Sequence, residues 1–471
     1  MKRLRFLDRS LAILLILELI FAQFTPVHAE SYLGLRSILY ECVKYDQQAD
    51  ISNFMISQEE LDALFSSMQD NGELPWYTYS YQLTVDTYGS VRSFVPVNLD
   101  PQTYDYDRYE QKLRQILSQT LREGMSQWQI ALALHDYLVS HCAYDETKTY
   151  TQGYDALIRG TTVCNGYARA YQDLMLLAGI PCRYVSGNPG AEGHAWNLVQ
   201  IDGSWYHEDA TWDDPVPNVE GRVRHEYFLL TDEEILAREH YGWQTDVQCS
   251  NSLQGAYWYD TESPIFQQTV GQSFHLREED WTWNVLARDD HTGDVTKLHQ
   301  IKMEPVDLGE GDSLYSHYGL SLYNGRLYFS SLDTVYSMNL DGTDLLKIYW
   351  LDTAAEQKAI YGVFVDDNLL KLTFQDGENV QETQQLALGL PPTHHIHSYS
   401  RRDVKPTCFQ EGYSEFSCAC GDHYVSRFVA PTHKEEVKID VAEHRIRVPK
   451  LLLILLGACL VYHLFQNRAR V

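Results

Sequence analysis

The sequence predicts an α+β protein whose first half mixes helices with strands and whose second half is rich in β-structure. Helix-start signals followed by apolar residues at 3.6-residue spacing recur up to about residue 180. Turn dipeptides typical of β-hairpins mark residues 252–390, at Asn324-Gly325, Asp341-Gly342 and Asp376-Gly377. The length of 471 residues suits about three domains.

The composition is that of a folded, acidic protein. Hydrophobic residues make up 44% of the chain and charged residues 22%, which are ordinary values for globular proteins. The formal net charge is −28, from 37 Lys and Arg against 65 Asp and Glu. Because nucleic-acid binding needs a basic face, this balance argues against a nucleic-acid partner. It fits a soluble extracellular protein, although solubility alone would explain it.

The first 29 residues have the pattern of an export signal peptide. A basic start precedes an apolar run from Leu11 to Ala22, and Val27-His28-Ala29 resembles a small-x-small cleavage site. Glu18 interrupts the run, so an uncleaved anchor is the alternative.

Residues 448–466 form an apolar segment at the other end. The 15 residues from Leu451 to Phe465 would rise only about 22 Å as a helix, short of the roughly 30 Å hydrocarbon layer. Because Lys450 and Arg468 can reach the interface, we favour a membrane anchor, with a buried terminal helix as the alternative. Together the two segments predict a secreted protein tethered at the extracellular face.

Residues 30–125 read as an N-terminal α/β region. Ser57 and Glu60 form a capping box ahead of an apolar helix face. Two runs rich in Tyr and Val, Trp76 to Val85 and Val91 to Leu99, predict strands joined by a turn. Helical spacing then covers Tyr106 to Arg122.

Cys164 is predicted to stand at the start of a helix. A second capping box, Ser126 with Gln129, opens a preceding helix that runs to about Cys142. The next helix begins at Cys164 and ends at the stop signal Gly179. Orphan backbone N–H groups and the helix dipole at such a start favour a thiolate and can hold a developing oxyanion.

A hairpin brings a histidine near a carboxylate. A strand from His194 is followed by the turn Asp202-Gly203 and by a return strand over residues 204–212. With a two-residue turn, His194 faces Thr211, and Asp209 lies diagonally on the same face at about 7–8 Å. Glu208 would point to the opposite face, so Asp209 is the preferred partner of His194.

Cys164, His194 and Asp209 are therefore the candidate catalytic residues. A thiolate attacks a carbonyl, an imidazole moves the proton, and a carboxylate fixes the tautomer of the imidazole. This chemistry needs no cofactor.

Four segments resemble the bacterial transglutaminase-like superfamily, in the form found in Firmicutes. They are Val163 to Ala168, Ala178 to Val185, Gly193 to Asn197 and Glu208 to Pro215. The resemblance is strong over about residues 126–250 and implies a papain-like α+β fold in which Cys164, His194 and Asp209 are the catalytic triad. Thr162 departs from the pattern, since many members have glycine there.

Other polar residues near these motifs have weaker claims to a role. Trp196 and Asn165 are candidates for substrate or oxyanion contacts, with core filling as the equal alternative for Trp196. His135 and His207 read as structural histidines, and calcium binding by the adjacent acids Asp213 and Asp214 is weakly indicated. Cys142, Cys182 and Cys249 read as packing residues.

Residues 251–390 are predicted to form a β-rich accessory domain of propeller-like blades. Strands are expected at Tyr257 to Asp260, Leu320 to Phe329, Val335 to Asn339 and Gly362 to Phe374. Roughly three blades fit, fewer than the four to eight of closed propellers, so closure is left open.

A small module at residues 391–440 resembles the short Cys/His repeats of surface proteins in Gram-positive bacteria. Its side chains could hold a structural zinc ion, with a single disulfide or no link as the alternatives. The candidate ligands are His397, Cys408, Cys418, Cys420 and His433.

Taken together, these patterns predict an enzyme that transfers acyl groups from peptide or protein amides outside the cell. Water as the acceptor makes it a peptidase or amidase, and a lysine amine makes it a cross-linking enzyme. The expected partners are a peptide or protein substrate, such as a cell-wall or surface protein, and the membrane through the C-terminal segment. The alternative is a non-catalytic surface scaffold or adhesion protein.

Overall fold

The computed structural model describes residues 33–431, apart from 189–192, 254, 270, 281, 303–305, 310–311, 315–317, 377–378, 381–382, 390–397 and 408–409. The predicted export signal and C-terminal apolar segment lie outside the described residues. Within the part that is described, we find no helix long and apolar enough to cross a membrane.

The N-terminal region is a small α/β unit with its own core. A helix over residues 33–44 packs with the helix Gln58–Asp70 against the antiparallel strands Thr78–Val85 and Val91–Asn98. The capping box predicted at Ser57 is confirmed. A short strand Ala49–Asp50 and a 3-10 turn Ser52–Phe54 complete the unit. Its buried core includes Leu35, Leu39, Leu61, Phe65 and Phe94.

Three helices and one antiparallel sheet surround the candidate site. The helices Tyr106–Thr120, Gln127–His141 and Cys164–Leu177 begin where the sequence predicts. The sheet has the strand order Cys182–Gly187, His194–Ile201, Ser204–Glu208 and Phe228–Leu230. The helix that begins at Cys164 lies against this sheet, and Tyr171, Leu174 and Val199 are fully buried in the shared core.

Smaller elements connect this framework. They are the parallel pair Ala143–Tyr144 and Thr161–Thr162, the π-helix Asp155–Arg159, the helices Ala210–Asp213 and Asp232–Ala237, and the 3-10 helix Tyr257–Asp260. The strand predicted at Tyr257–Asp260 is therefore wrong. Trp258 anchors this turn in the core beside Trp128 and Phe228, and that burial decides its conformation.

The predicted hairpin register is confirmed at the turn and fails at the far end. Ile201 pairs with Ser204 and Asn197 with Glu208, as a two-residue turn requires. The return strand ends at Glu208, however, because the Asp209 side chain accepts the backbone N–H groups of Thr211 and Trp212 and starts a helical turn. The expected pairing of His194 with Thr211 is thus wrong.

The accessory region consists of successive antiparallel sheets. Its first four-stranded sheet, over residues 266–302, was not predicted from the sequence, whereas the hairpin around Asn324-Gly325 was. Among the described residues, the first two sheets are four-stranded meanders. In the third, the strands Asn379–Val380 and Gln384–Ala387 both pair with Leu369–Asp376, so the propeller-like blades stay a prediction. The first sheet has the strands Phe266–Thr269, Gln272–Glu279, Thr282–Asp289 and Val295–Lys302, and the second has Leu320–Tyr323, Arg326–Ser330, Thr334–Asn339 and Leu346–Trp350. The third has Ala359–Asp366, Leu369–Asp376, Asn379–Val380 and Gln384–Ala387. A separate hairpin is formed by Val306–Gly309 and Asp312–Leu314, and a short helix covers Thr353–Glu356.

A three-stranded sheet, Tyr399–Val404, Gly412–Cys418 and His423–Val429, ends the described part. It lies against the N-terminal half: Lys44 Nζ is 2.7 Å from a Glu411 carboxylate oxygen, and Arg427 Nε is 2.6 Å from Asp107 Oδ1.

The proposed zinc ligands belong to this module. Cys418 is buried at a strand end and Cys420 is exposed two residues later. His397, Cys408 and His433 lie outside the described residues, so the zinc site stays a prediction.

Candidate active site

Three hydrogen bonds to two carbonyl groups of one loop clamp the start of the helix that carries Cys164. The Val163 N–H and the Thr162 hydroxyl both donate to the Tyr150 carbonyl, at 3.0 and 3.1 Å. The Asn165 side-chain amide donates to the Thr151 carbonyl at 2.6 Å. Asn165, a candidate for substrate contact, therefore uses one of its side-chain N–H donors to hold this loop. Cys164 itself is half-buried at the clamped helix start.

His194 stands between Cys164 and Asp209. Its Nε2 lies 2.5 Å from Asp209 Oδ2, in a pair that is almost completely buried. It also lies close enough to the Cys164 thiol to lower the pKa of that thiol. Because Asp209 occupies Nε2, the nitrogen left to face the thiol is Nδ1. The structure thus brings together the three residues that the sequence singles out.

The electrostatics of this group favour a thiolate–imidazolium pair. Burial raises the pKa of the Cys164 thiol, but the hydrogen bond and charge of His194 and the Ala195 N–H outweigh it, so the pKa lies below its ordinary value. Burial lowers the pKa of His194, yet the charge of Asp209 and its hydrogen bond raise it to about 10. Despite burial, the pKa of Asp209 is held well below its usual range by His194 and by a second histidine, His240.

The neighbouring cysteines behave in the opposite way. Burial raises the pKa of Cys142, Cys182 and Cys249 above that of a free thiol, which keeps them protonated and unreactive. Cys164 differs from these three in standing at a helix N-terminus beside an imidazole.

Asp209 contacts two histidines and two backbone N–H groups, of which the sequence predicts only the contact with His194. Its Oδ1 accepts the N–H groups of Thr211 and Trp212, at 3.0 and 3.3 Å. Its Oδ2 accepts from His194 and also lies 2.8 Å from His240 Nε2. His240 is not predictable from the sequence, because a single histidine in a loop after a short helix carries no pattern that points to a residue 31 positions away.

Trp196 packs beside the imidazole of His194. The two rings are stacked with centroids 5.8 Å apart, and Trp196 is 1% exposed. Its indole N–H donates to His207 Nδ1 at 2.9 Å, while His207 Nε2 lies 2.9 Å from Asp232 Oδ1. Trp196 therefore shields His194 with its ring, and its only polar hydrogen is already bonded. His207 is a hydrogen-bonded core histidine, as predicted.

A second layer of buried charges lies beneath the site. His135 is bonded to Asp136 through Nδ1 at 3.0 Å and to Asp213 through Nε2 at 3.2 Å, and all three are buried. Asp213 also accepts a hydrogen bond from the backbone N–H of Tyr227, and Asp136 accepts one from the backbone N–H of Ile265. His135 is thus structural, as expected, and Asp213 already has partners.

Three groups of the described side chains have atoms close enough to hold a metal ion, with all ligand atoms within 4.8 Å of one another. They are His135 with Asp136 and His225, His194 with Asp209 and His240, and His207 with Asp232 and Cys249. Members of each group also hydrogen-bond to one another, so protons can account for the short distances.

Comparison with known proteins finds a family model that matches part of this region. Residues 114–210 match the family model described as "Transglutaminase-like superfamily". The chain carries a transglutaminase-like domain. The matched residues contain the helix of Cys164 and the hairpin that ends at Asp209. The N-terminal unit and the β-rich meanders lie outside the match.

Curated relatives share a limited part of the chain. The chain is similar to kyphoscoliosis peptidase from Homo sapiens and from Mus musculus, with 22% identity over 218 residues in each case. The similarity covers 36% of this chain and 33% of each relative, so the chain spans about a third of their length. Among solved structures, a TGase shares 15% identity, with 33% of this chain and 48% of that chain covered and a TM-score of 0.19.

Proposed function

We propose that the transglutaminase-like domain catalyses acyl transfer from peptide or protein amides through Cys164, His194 and Asp209. The observation that carries the proposal is the placement of half-buried Cys164 beside His194, whose Nε2 lies 2.5 Å from Asp209 Oδ2 in a buried pair. The word peptidase in the name of the curated relatives supports an amide substrate. We further propose that the enzyme acts outside the cell, following the predicted export signal.

The proposed reaction starts with attack by the Cys164 thiolate on the amide carbonyl carbon. The backbone N–H groups at the start of the helix would stabilise the oxyanion that forms. His194 then gives its proton to the leaving amine, the carbon–nitrogen bond breaks, and a thioester remains on Cys164. Water or a primary amine attacks the thioester while His194 takes up its proton, which releases the product and restores the thiolate–imidazolium pair.

Asp209 acts on this cycle through His194. Its bond to Nε2 keeps the proton of the neutral imidazole on that nitrogen and leaves Nδ1 free to exchange a proton with substrate. Its negative charge stabilises the imidazolium of the resting pair.

A direct test offers the enzyme both acceptors at once. The chain is incubated with a glutamine-containing protein and a labelled primary amine, and mass spectrometry follows amine incorporation and peptide cleavage. Incorporation that depends on Cys164 shows cross-linking activity, and cleavage alone shows a peptidase. If a Cys164→Ala variant matches the wild type in both products over a panel of protein substrates, the proposal is wrong and a scaffold role gains support.

Selective alkylation at Cys164 is a second expected result. At pH 7, iodoacetamide should modify Cys164 at least roughly tenfold faster than Cys142, Cys182 or Cys249, because only Cys164 has a lowered pKa and partial exposure. Quantitative peptide mapping measures each rate, and His194→Ala should remove the advantage. Equal rates at the four cysteines in the folded wild type would contradict an activated thiol.

A further inference from the structure

A cavity lies between the N-terminal unit and the helix that carries Cys164. Its volume is about 200 Å³, below the roughly 300–1,000 Å³ of pockets that hold whole small ligands, so a single long side chain suits it. One wall belongs to residues 69–79 of the N-terminal unit. Most of the other wall is one face of the helix Cys164–Leu177, which contributes Asn165, Arg169, Gln172 and Asp173.

The cavity begins beside the candidate nucleophile. Asn165 follows Cys164 directly in the helix and lines the cavity. Tyr184 lies near both the thiol and the cavity: burial raises the pKa of Tyr184, the charge of Arg169 opposes the rise, and the charge of Cys164 adds to it. The guanidinium of Arg169 lies 3.8 Å from the centroid of the Tyr184 ring. The cavity and Cys164 are therefore neighbours along one helix.

The wall from the N-terminal unit is largely apolar but contains one hydroxyl group. Leu74, Pro75 and Trp76 line the cavity, and Thr78 follows at the start of a strand. Thr78 is 8% exposed, and its hydroxyl has no hydrogen-bond partner among the described residues. Because a buried hydroxyl without a partner is unfavourable, this wall favours an apolar ligand that carries a polar group.

The wall from the helix carries a carboxyl group. The Tyr109 hydroxyl donates to Asp173 Oδ2 at 2.8 Å, and no other hydrogen bond to this carboxyl group occurs in the described part of the chain. Oδ1 is therefore available to a ligand. Burial raises the pKa of Asp173 to about 7, although the bond from Tyr109 opposes the shift. A cation in the cavity would offset this effect of burial.

Arg169 is the positively charged residue of the lining, and its guanidinium is already engaged. Nη1 donates to the Gln69 carbonyl oxygen at 2.9 Å and to Gln172 Oε1 at 3.1 Å. Nη2 lies 3.6 Å from Asp70 Oδ1, whose charge balances that of Arg169. Asp173, in contrast, forms no ion pair with any described residue.

We propose that this cavity is a substrate subsite for a lysine or arginine side chain of the peptide that carries the reacting amide. The proposal rests on the acyl-transfer function of Cys164. The methylene stem lies along the apolar wall, and the charged head donates to Asp173 and Thr78. The N-terminal unit, which lies outside the family match, thereby takes part in substrate selection.

The length of the helix separates this cation from the reaction. Asp173 follows Cys164 by 173 − 164 = 9 residues, or about 14 Å of helix, so the bound basic group is not the amine that attacks the thioester. An extended peptide advances about 3.4 Å per residue. After allowance for the reach of the basic side chain, its residue lies about two to four positions from the reacting amide.

The test measures peptide binding to the full chain with Cys164→Ala, which removes turnover. Fluorescently labelled peptides carry glutamine at the centre and one lysine up to about four positions away on either side. Each peptide has a partner with norleucine in place of lysine, which keeps most of the stem and lacks the charge. We expect at least one lysine peptide to bind roughly tenfold more tightly than its partner, as measured by fluorescence anisotropy.

Variants of the two walls locate the preference. Asp173→Asn keeps an acceptor for Tyr109 and removes the charge, so it should abolish the preference for lysine. Thr78→Val removes only the hydroxyl and should reduce the preference about threefold. Glu59→Gln is the matched control, since it removes an exposed charge of the N-terminal unit that does not line the cavity, and it should leave the preference unchanged.

The proposal is overturned if no lysine peptide binds more tightly than its norleucine partner, or if the preference persists in folded Asp173→Asn. If Asp173→Asn does not fold, an undiminished preference in Thr78→Val overturns it instead. Failure of the proposed function gives a different result. A lysine preference without Cys164-dependent cleavage or amine incorporation by the wild type removes acyl transfer and keeps the subsite, whereas intact turnover without the preference removes the subsite alone.

Discussion

Replacing Asp209 by asparagine is expected to lower kcat about ten-thousandfold and to reduce the free energy of unfolding by about 3 kcal/mol. Four N–H groups converge on the carboxylate, two from the backbone and two from imidazoles. Asparagine offers one acceptor oxygen, so its amide must point N–H groups either at the backbone or at the histidines. In the second case His194 must accept at Nε2, its hydrogen moves to Nδ1, and Cys164 loses its base.

Steady-state kinetics and thermal unfolding measure the two effects of this change. Asp232→Asn is the matched control, because Asp232 also bonds a buried histidine, His207, but has no contact with His194. We expect its kcat to stay within tenfold of the wild type. A folded Asp209→Asn enzyme with comparable activity would rule out the proposed part of Asp209 in the reaction.

Gly166→Ala should be the second most damaging single change. A Cβ at Gly166 would overlap the Thr162 hydroxyl and lie 2.8 Å from the Gln152 carbonyl oxygen. The overlap pushes the helix start away from the loop that clamps it, and with it Cys164. We expect a loss of about 3 kcal/mol in stability and roughly a hundredfold in kcat, the usual result of a shift near 1 Å at the reacting atoms.

A double variant tests whether the overlap with Thr162, and not a general folding defect, causes the loss of stability and activity. Thr162→Gly removes the overlapping side chain, so Thr162→Gly with Gly166→Ala should recover part of the lost stability, limited by the remaining contact with Gln152. Gly193→Ala is the neutral control, since its added Cβ would meet none of the described atoms within 4 Å. Wild-type thermal unfolding and kinetics in Gly166→Ala alone would show that the clamp does not position Cys164.

The sequence predicted those parts of the site that local chemistry determines. A capping box, a turn dipeptide and a glycine stop each act within a few residues, so the starts of the main helices and the hairpin near Asp202-Gly203 came out as observed. The meeting of His194 with Asp209 was also expected, although its geometry was not. The strand ends before Asp209, whose side chain caps a helical turn. Capping by the Asp209 side chain competes with continued strand pairing of the backbone, and here capping prevails.

His240 marks the limit of this reasoning. Its place beside Asp209 is set by the path of the chain after the helix Asp232–Ala237 and by packing against Trp196 and Trp212. Such contacts are fixed by the assembled core, and no periodicity along the sequence reports them. The same holds for Trp258, whose burial converts a strand-like run of aromatic residues into a 3-10 helix.

The contact between the final sheet and the N-terminal half sets the order of events during synthesis. Lys44 cannot meet Glu411, nor Asp107 meet Arg427, until the ribosome has made almost all of the described chain. At about 5–20 residues per second, roughly 300 residues emerge over tens of seconds after Asp107 does. The core around the helix of Cys164, built from residues between Tyr109 and Ile265, can form during that interval, before the two ends of the described chain come together.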